Sequence, residues 1–136
     1  YGGRFVGNDG ASNVVQMHGG TVLGYGGVDE VDYMFGGWFS GGLGRDRVGQ
    51  LHAGTFNGGG WKDRVEYMYG GKFVGGPQGD LVWQLRGGLV KGKKGNDMVN
   101  KLFAAGTFYA GDGTDTIGAC IGGGTYANVE VLGTGC

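Results

Sequence analysis

The sequence predicts an all-β fold, a single parallel β-solenoid of about eight coils with 17 residues in each coil. Similar residues recur at the same places in successive units, as in GGWFSGGLGRDRVGQLH at 36–52 and AGTFNGGGWKDRVEYMY at 53–69. A fixed period of this kind is typical of stacked repeat architectures. Glycine supplies 37 of the 136 residues, which disfavours helices because each glycine costs about 1 kcal/mol in a helix interior.

Three apolar columns define the predicted interior. Positions four, thirteen and sixteen of the unit hold apolar residues in nearly every coil, and in one coil these are Phe56, Val65 and Met68. Members of one column would lie about 4.8 Å apart on neighbouring parallel strands, so each side chain would stack on its own kind. We expect these columns to point inward and to fill the narrow interior of one domain that spans residues 1–136.

The period is interrupted near the C-terminus. Ala104 and Gly122 are one-residue insertions, and the last unit, which starts at Gly123, is truncated. Cys120 and Cys136 lie 16 residues apart, nearly one coil, so they could stack on adjacent rungs within disulfide range. We expect a disulfide that pins the last coil. The alternative is a buried free cysteine and a free terminal thiol.

An acidic column accompanies the apolar ones at position eleven, which is Ser12 in the first unit and aspartate in the next six. These aspartates are Asp29, Asp46, Asp63, Asp80, Asp97 and Asp115. Carboxylates about 4.8 Å apart must be neutralised, since each like-charged neighbour costs about 1 kcal/mol even in water. A bound cation would do this, and so would dense donation from backbone N–H groups, as aspartate receives in turns. Among the other acids, Glu30, Asp32, Glu66 and Glu130 are interpreted as scattered outside the column.

The middle of each unit resembles a known calcium-binding motif. The segments GGLGRDRVG (41–49) and AGDGTDTIG (110–118) are similar to GGxGxDxUx, in which U is a large apolar residue. That pattern is the nonapeptide of the repeats-in-toxin (RTX), or hemolysin-type calcium-binding, family. The ending GTFYAGDGTDTIGACIGGGTYANVEV resembles secreted actinobacterial members of that group.

The resemblance implies a secreted, extracellular protein and a role for the acidic column. In that family, glycine-turn carbonyls and aspartate carboxylates form oxygen cages that suit Ca²⁺. Carried over to this chain, the cages would use the six aspartates of position eleven. Each coil here contains one nonapeptide instead of the usual two, so calcium would form a single row along one edge.

Outward positions fifteen and seventeen carry aromatic residues and predict an interaction face. Large rings there suit self-association or contact with a flat protein or polysaccharide surface. The residues are Tyr33, Phe35, Tyr67, Tyr69 and Phe103. The alternative is that one of these columns is ordinary core.

Composition and charge narrow the classes of function. The net charge of −1 provides no basic field for nucleic acid, and no apolar run approaches the roughly 18 residues of a membrane span. We expect a secreted, calcium-stabilised structural, adhesive or self-associating module. A surface binder of polysaccharide or ice is the second hypothesis, although position three lacks the regular threonine array of an ice-binding face. A carbohydrate-active enzyme ranks last, because such enzymes gather acids in one cleft, and we predict no catalytic residue.

Overall fold

A computed structural model describes residues 2–136 and shows a continuous stack of parallel β-strands. Within this range there are 14 strands and no helix, so no helix is long and apolar enough to cross a membrane. The strands are β1 (Arg4–Val6), β2 (Ser12–Met17), β3 (Thr21–Gly26), β4 (Asp29–Met34), β5 (Trp38–Leu43), β6 (Arg47–Leu51), β7 (Thr55–Gly60), β8 (Arg64–Met68), β9 (Lys72–Val74), β10 (Leu81–Lys94), β11 (Met98–Asp112), β12 (Thr116–Ile121), β13 (Thr125–Ala127) and β14 (Val131–Thr134).

The two sides of each coil form two parallel ladders. One ladder runs through the odd-numbered strands from β1 to β9, and the other runs through the even-numbered strands from β2 to β8. The long strands β10 and β11 continue around a corner and therefore belong to both ladders. Beyond β11, β13 extends the first ladder, and β12 followed by β14 extends the second. The register pairs Phe39 with Phe56 and Val48 with Val65, as the 17-residue period predicts. The predicted β-solenoid is therefore confirmed.

The insertions and the truncation have distinct effects on the register. Leu85 pairs with Leu102, but Gly87 pairs with Ala105, so the ladder absorbs Ala104 as a local irregularity. In the last coil the offset is 18 residues between β11 and β13 but 15 between β12 and β14. The second half of that coil is therefore three residues shorter than the corresponding half of the coil before it.

The interior consists of the three predicted apolar columns. Phe56, Val65 and Met68 are fully buried, which confirms their inward orientation. The Phe39 and Phe56 rings stack with centroids 4.8 Å apart, and the Phe56 and Phe73 rings with centroids 5.0 Å apart. These spacings match the separation of neighbouring strands, so one backbone repeat sets the packing of every layer.

The predicted disulfide is present. Cys120 and Cys136 are bonded, with their α-carbons 4.9 Å apart. Cys120 continues the sixteenth-position column, where it pairs in register with Leu102. The bond closes a loop of about 15 residues, worth about 3 kcal/mol in the chain-entropy model, and ties the shortened last coil to the ladder.

Candidate functional site

The six predicted aspartates lie together in one buried column. Each is at most 4% exposed, so these carboxyl groups face the interior of the solenoid and not solvent. In the third coil, Asp46 lies between β5 and β6, at the corner where the chain passes from one ladder to the other. The structure therefore brings together all six residues that the sequence singled out.

A chain of hydrogen bonds links successive aspartates. The backbone N–H of each aspartate donates to Oδ1 of the aspartate one coil later, over 2.6–2.8 Å. Five such bonds join the column from Asp29 to Asp115. Backbone donation, one of the two predicted ways of neutralising the column, therefore satisfies one oxygen of each acceptor carboxylate.

The second oxygen is left without a partner in most coils. Oδ2 of Asp46, Asp63, Asp97 and Asp115 is buried and has no hydrogen bond, and both carboxylate oxygens of Asp29 are in the same condition. A buried acceptor without a donor costs about 1–3 kcal/mol, and more when it is charged. A proton or a cation at these oxygens would relieve that cost.

Asp80 is the exception in the column. Its Oδ1 accepts the N–H of Asp63, and its Oδ2 accepts the N–H of Gly76 at 2.9 Å. The turn at 75–79 contains Pro77 and reads GGPQG, unlike the turns of the other coils. This local turn chemistry gives Asp80 the second donor that its neighbours lack.

Glycine at position six makes room for the carboxylates. A β-carbon on Gly41 would lie 2.0 Å from Asp46 Oδ2 and 2.7 Å from the carbonyl oxygen of Gly58. On Gly24 the corresponding distances would be 2.1 Å to Asp29 Oδ2 and 2.3 Å to the carbonyl oxygen of the next coil. At these two positions a carboxylate oxygen and a backbone carbonyl oxygen occupy the place that a side chain would need. Glycine recurs five residues before each aspartate from Asp29 to Asp97, whereas Ala110 holds this position before Asp115, and this recurrence is the sequence signal for the pairing.

Burial shifts the ionisation of the column. Loss of solvent raises the pKa of Asp63 to about 8, against the lowering effect of the Asp46 N–H and with a further rise from neighbouring carboxylates. The same desolvation raises the pKa of Asp97 to about 7 and the pKa values of Asp46 and Asp80 to about 6. Desolvation also raises the pKa of Asp115. A column with these pKa values takes up protons near neutrality unless a cation replaces them.

Glu130 belongs to the column, so its interpretation as a scattered acid was wrong. The N–H of Asp115 donates to Glu130 Oε2 at 2.8 Å, which continues the bonding pattern of the aspartates. The missing three residues place Glu130 just before Val131, which pairs with Thr116. A fixed period of 17 residues does not align Glu130 with the aspartates, because the last coil is shorter and places Glu130 only 15 residues after Asp115.

The chemistry of this column suits a hard cation. The polar atoms nearest the position-six glycines are carboxylate Oδ2 atoms and backbone carbonyl oxygens, and Ca²⁺ prefers six to eight oxygen ligands. Among residues 2–136, no three His, Cys, Asp or Glu side chains converge as a ready metal centre. A cation here would therefore depend on backbone carbonyl oxygens as well as on carboxylates.

The predicted outer aromatic residues lie on the surface. Tyr33, Phe35 and Tyr69 are 38–42% exposed, and Tyr67 and Phe103 are half-buried, so none of the five is core. The position-seventeen residues form a continuous stack, in which the rings of successive coils are 4.8–4.9 Å apart and an arginine occupies one rung. The stack, in order, is His18, Phe35, His52, Tyr69, Arg86 and Phe103.

Stacking determines which parts of these rings can meet a partner. The Phe35 ring lies between His18 and His52, and the Arg86 guanidinium lies 5.8 Å from the Tyr69 centroid on the side away from His52. The ring faces are therefore covered within the column, and only the ring edges reach solvent. The ring edges of successive coils therefore form a flat strip that runs along the solenoid axis.

Comparison with protein-family models, curated proteins and solved structures finds no match for this chain.

Proposed function

We propose that this chain is a rigid structural module of the RTX type, stabilised by calcium along its aspartate column. The observation that carries the proposal is the row of buried Oδ2 atoms without hydrogen-bond partners on Asp29, Asp46, Asp63, Asp97 and Asp115, of which the first four each lie beside a position-six glycine. A bound divalent cation would neutralise these carboxylates. The fold supports a mechanical role, because continuous backbone ladders join the strands and buried apolar side chains fill the narrow interior.

The chain's own residues define where calcium would be held. Neighbouring aspartates such as Asp46 and Asp63, with carbonyl oxygens such as that of Gly58, would supply ligands between successive coils. The nonapeptides around Asp46 and Asp115 match the family pattern best, so these rungs would fill first. Asp80 gains least because both of its oxygens already accept N–H groups.

The proposal predicts that calcium raises the melting temperature of the protein. Binding to the folded state alone contributes about 2.7 kcal/mol for one site at a hundredfold excess of calcium over Kd. The measurement is thermal unfolding of metal-free protein with added Ca²⁺, with Mg²⁺ as the control cation, together with elemental analysis. Mg²⁺ should stabilise less because it demands a compact octahedral shell. Identical melting curves in calcium and in chelator, with no calcium retained by the protein, would reject the proposal.

We further propose that the module works outside the cell and associates through the position-seventeen stack. The disulfide supports an oxidising environment, since such bonds are rare in reducing compartments. The exposed ring edges of Phe35, Tyr69 and Phe103 alternate with histidine and arginine in a flat strip, which suits packing against a second copy of the chain. Flat stacking on sugar rings would require free ring faces, and this stack has covered them.

The second part of the proposal predicts concentration-dependent association. We expect sedimentation velocity to show dimers or larger species at high protein concentration. The Phe35→Gln/Tyr69→Gln variant should shift the protein towards monomer because it removes apolar area from the strip. Tyr109→Gln is the matched control, since Tyr109 is 44% exposed but lies outside the stack. A monomer at all concentrations, or an equal effect of the control, would contradict association through the strip.

A further inference from the structure

Most of the highly exposed apolar side chains gather at one corner of the solenoid. This corner comprises positions seven to ten of the unit, at the end of one strand and in the turn before the next. Five large apolar side chains among residues 2–136 are more than half exposed, and only Val15 lies elsewhere. The other four belong to three successive coils and are Tyr25, Val28, Leu43 and Trp61.

The strand register brings three of these side chains next to one another. Tyr25 pairs with Gly42, the residue before Leu43, and Leu43 pairs with Gly60, the residue before Trp61. A β-carbon on Gly60 would lie 3.2 Å from Leu43 Cδ2, so the leucine side chain lies against the coil that carries Trp61. Tyr25, Leu43 and Trp61 therefore form one apolar area across three coils.

Two of these residues have backbone conformations that favour glycine. Tyr25 has a φ of 73° and Trp61 a φ of 72°. Glycines with positive φ hold the same positions in neighbouring coils, namely Gly42 after Tyr25 and Gly44 before Trp61. A bulky residue at positive φ costs stability. Neither ring stacks on another ring or on a cation within residues 2–136, so the stacking that supports the position-seventeen column does not offset this cost. Strain of this kind concentrates at binding sites.

Unpaired cations lie beside the apolar area. Arg45 and Lys62 hold position ten of successive coils, one coil spacing of roughly 4.8 Å apart. Both are exposed, and neither has an ion pair or a side-chain hydrogen bond in the described part of the chain. Together with Val28 they line a surface cavity of about 380 Å³. The corner therefore combines exposed apolar groups with free positive charge.

The other charges near the cavity do not cancel these two cations. Arg47 bonds to Glu30 and lies 2.9 Å from Glu66, and Arg64 lies 3.4 Å from Glu66, so two arginines balance two glutamates. The position-eleven aspartates behind the corner are at most 4% exposed and cannot meet a partner at the surface. A partner that approaches from solvent therefore meets a positive corner.

The positive charge continues along the same edge of the solenoid. Positions seven to ten of the second to sixth coils contain no acid, and exposed acids at these positions, Asp9 and Asp112, occur in the first and seventh coils. The third and sixth coils are three coil spacings apart, roughly 14 Å, so the edge presents its cations along a line. The four cations are Arg45, Lys62, Lys93 and Lys94.

We infer that this corner docks on an anionic lipid surface. We call it the turn edge, defined by Tyr25, Leu43, Arg45, Trp61 and Lys62. Tryptophan and tyrosine favour the headgroup level of a bilayer, and arginine and lysine are attracted to anionic lipids. A soluble polyanion would meet the cations but would leave the aliphatic Leu43 side chain in water. The turn edge uses neither the aspartate oxygens nor the position-seventeen strip, so the inference does not rest on the proposed function.

Vesicle binding in chelator tests the inference without calcium bridges between protein and lipid. The probes are vesicles of phosphatidylcholine alone and vesicles of equal parts phosphatidylcholine and phosphatidylserine. At low salt the protein should bind the mixed vesicles at least about tenfold more tightly, and added salt should weaken this binding. Equal binding to both kinds of vesicle, or binding to neither, would overturn the inference.

Variants of exposed residues locate the contact. Arg45→Gln and Lys62→Gln should each weaken binding to mixed vesicles about fivefold, which corresponds to about 1 kcal/mol for each cation. Leu43→Ser should weaken it about tenfold or more, because a buried leucine is lost. Lys101→Gln is the control, since Lys101 is exposed outside the turn edge, and it should bind as the unsubstituted protein does. Unchanged binding in Arg45→Gln and Leu43→Ser would show that the protein binds lipid elsewhere.

Tryptophan fluorescence reports which residue enters the lipid. Emission should shift to shorter wavelength on binding to mixed vesicles, and Trp61→Phe should remove this shift. Trp83→Phe is the matched control, because Trp83 is 41% exposed in β10, and it should keep the shift. A shift that persists in Trp61→Phe would contradict insertion at the turn edge. If dextran sulfate binds more tightly than the mixed vesicles, and equally well to Leu43→Ser, the edge is a site for soluble polyanions and the inference is rejected.

Discussion

Metal-free protein should lose stability as the pH rises from about 4 to about 8. The folded-state pKa values of Asp46, Asp63, Asp80 and Asp97 are raised to between about 6 and about 8, from an unfolded value near 3.9. For groups with raised pKa values, the folded state binds protons more tightly than the unfolded state. Their stabilisation is therefore fully present below pH 4 and is lost as the pH passes through the folded-state values. The total loss should amount to several kcal/mol, because one unit of pKa shift corresponds to about 1.4 kcal/mol.

Urea unfolding of calcium-free protein at several pH values measures this effect. Saturating calcium should flatten the profile, because binding to deprotonated carboxylates replaces the lost protons, and calcium addition at pH 6 should release protons into weakly buffered solution. A metal-free protein that gains stability between pH 4 and pH 8 would show the opposite sign. Such a result would mean that the column is ionised and stabilised by N–H donation alone.

Parallel stacking explains why the sequence predicted the fold. In-register strands place each residue on its counterpart one period away, so Phe39, Phe56 and Phe73 had to share an environment once the period was known. The same logic predicted the aspartate column and the disulfide. Each of these features depends only on the repeat length and on residue type.

Departures from the repeat limited prediction at the site. Glu130 reaches the end of the column only because the last coil lost three residues, and a fixed period cannot show such a shift. Arg86 continues the aromatic stack through its planar guanidinium, which a count of rings overlooks. In each case the decisive fact is spatial, and the residue type alone gives no sign of it.

The neutral substitution Asp63→Asn should separate the roles of proton and calcium within one rung. Asparagine keeps an oxygen that can accept the Asp46 N–H, a bond of 2.8 Å in the present structure, but it carries no charge. Burial raises the pKa of Asp63 to about 8, so its ionised form is costly to bury. In chelator at pH 8, the variant should be more stable than the unsubstituted protein by about 3 kcal/mol.

Calcium should reverse this order. The Asp63→Asn variant lacks a carboxylate shared by two successive rungs, so its gain in melting temperature on calcium addition should be clearly smaller. Asp9→Asn is the control, because Asp9 is an exposed acid outside the column and its loss should change stability by less than about 0.5 kcal/mol in either condition. If Asp63→Asn destabilises the protein in chelator at pH 8, the ionised carboxylate contributes stability by itself. If the variant gains as much from calcium as the unsubstituted protein, this rung does not bind the cation.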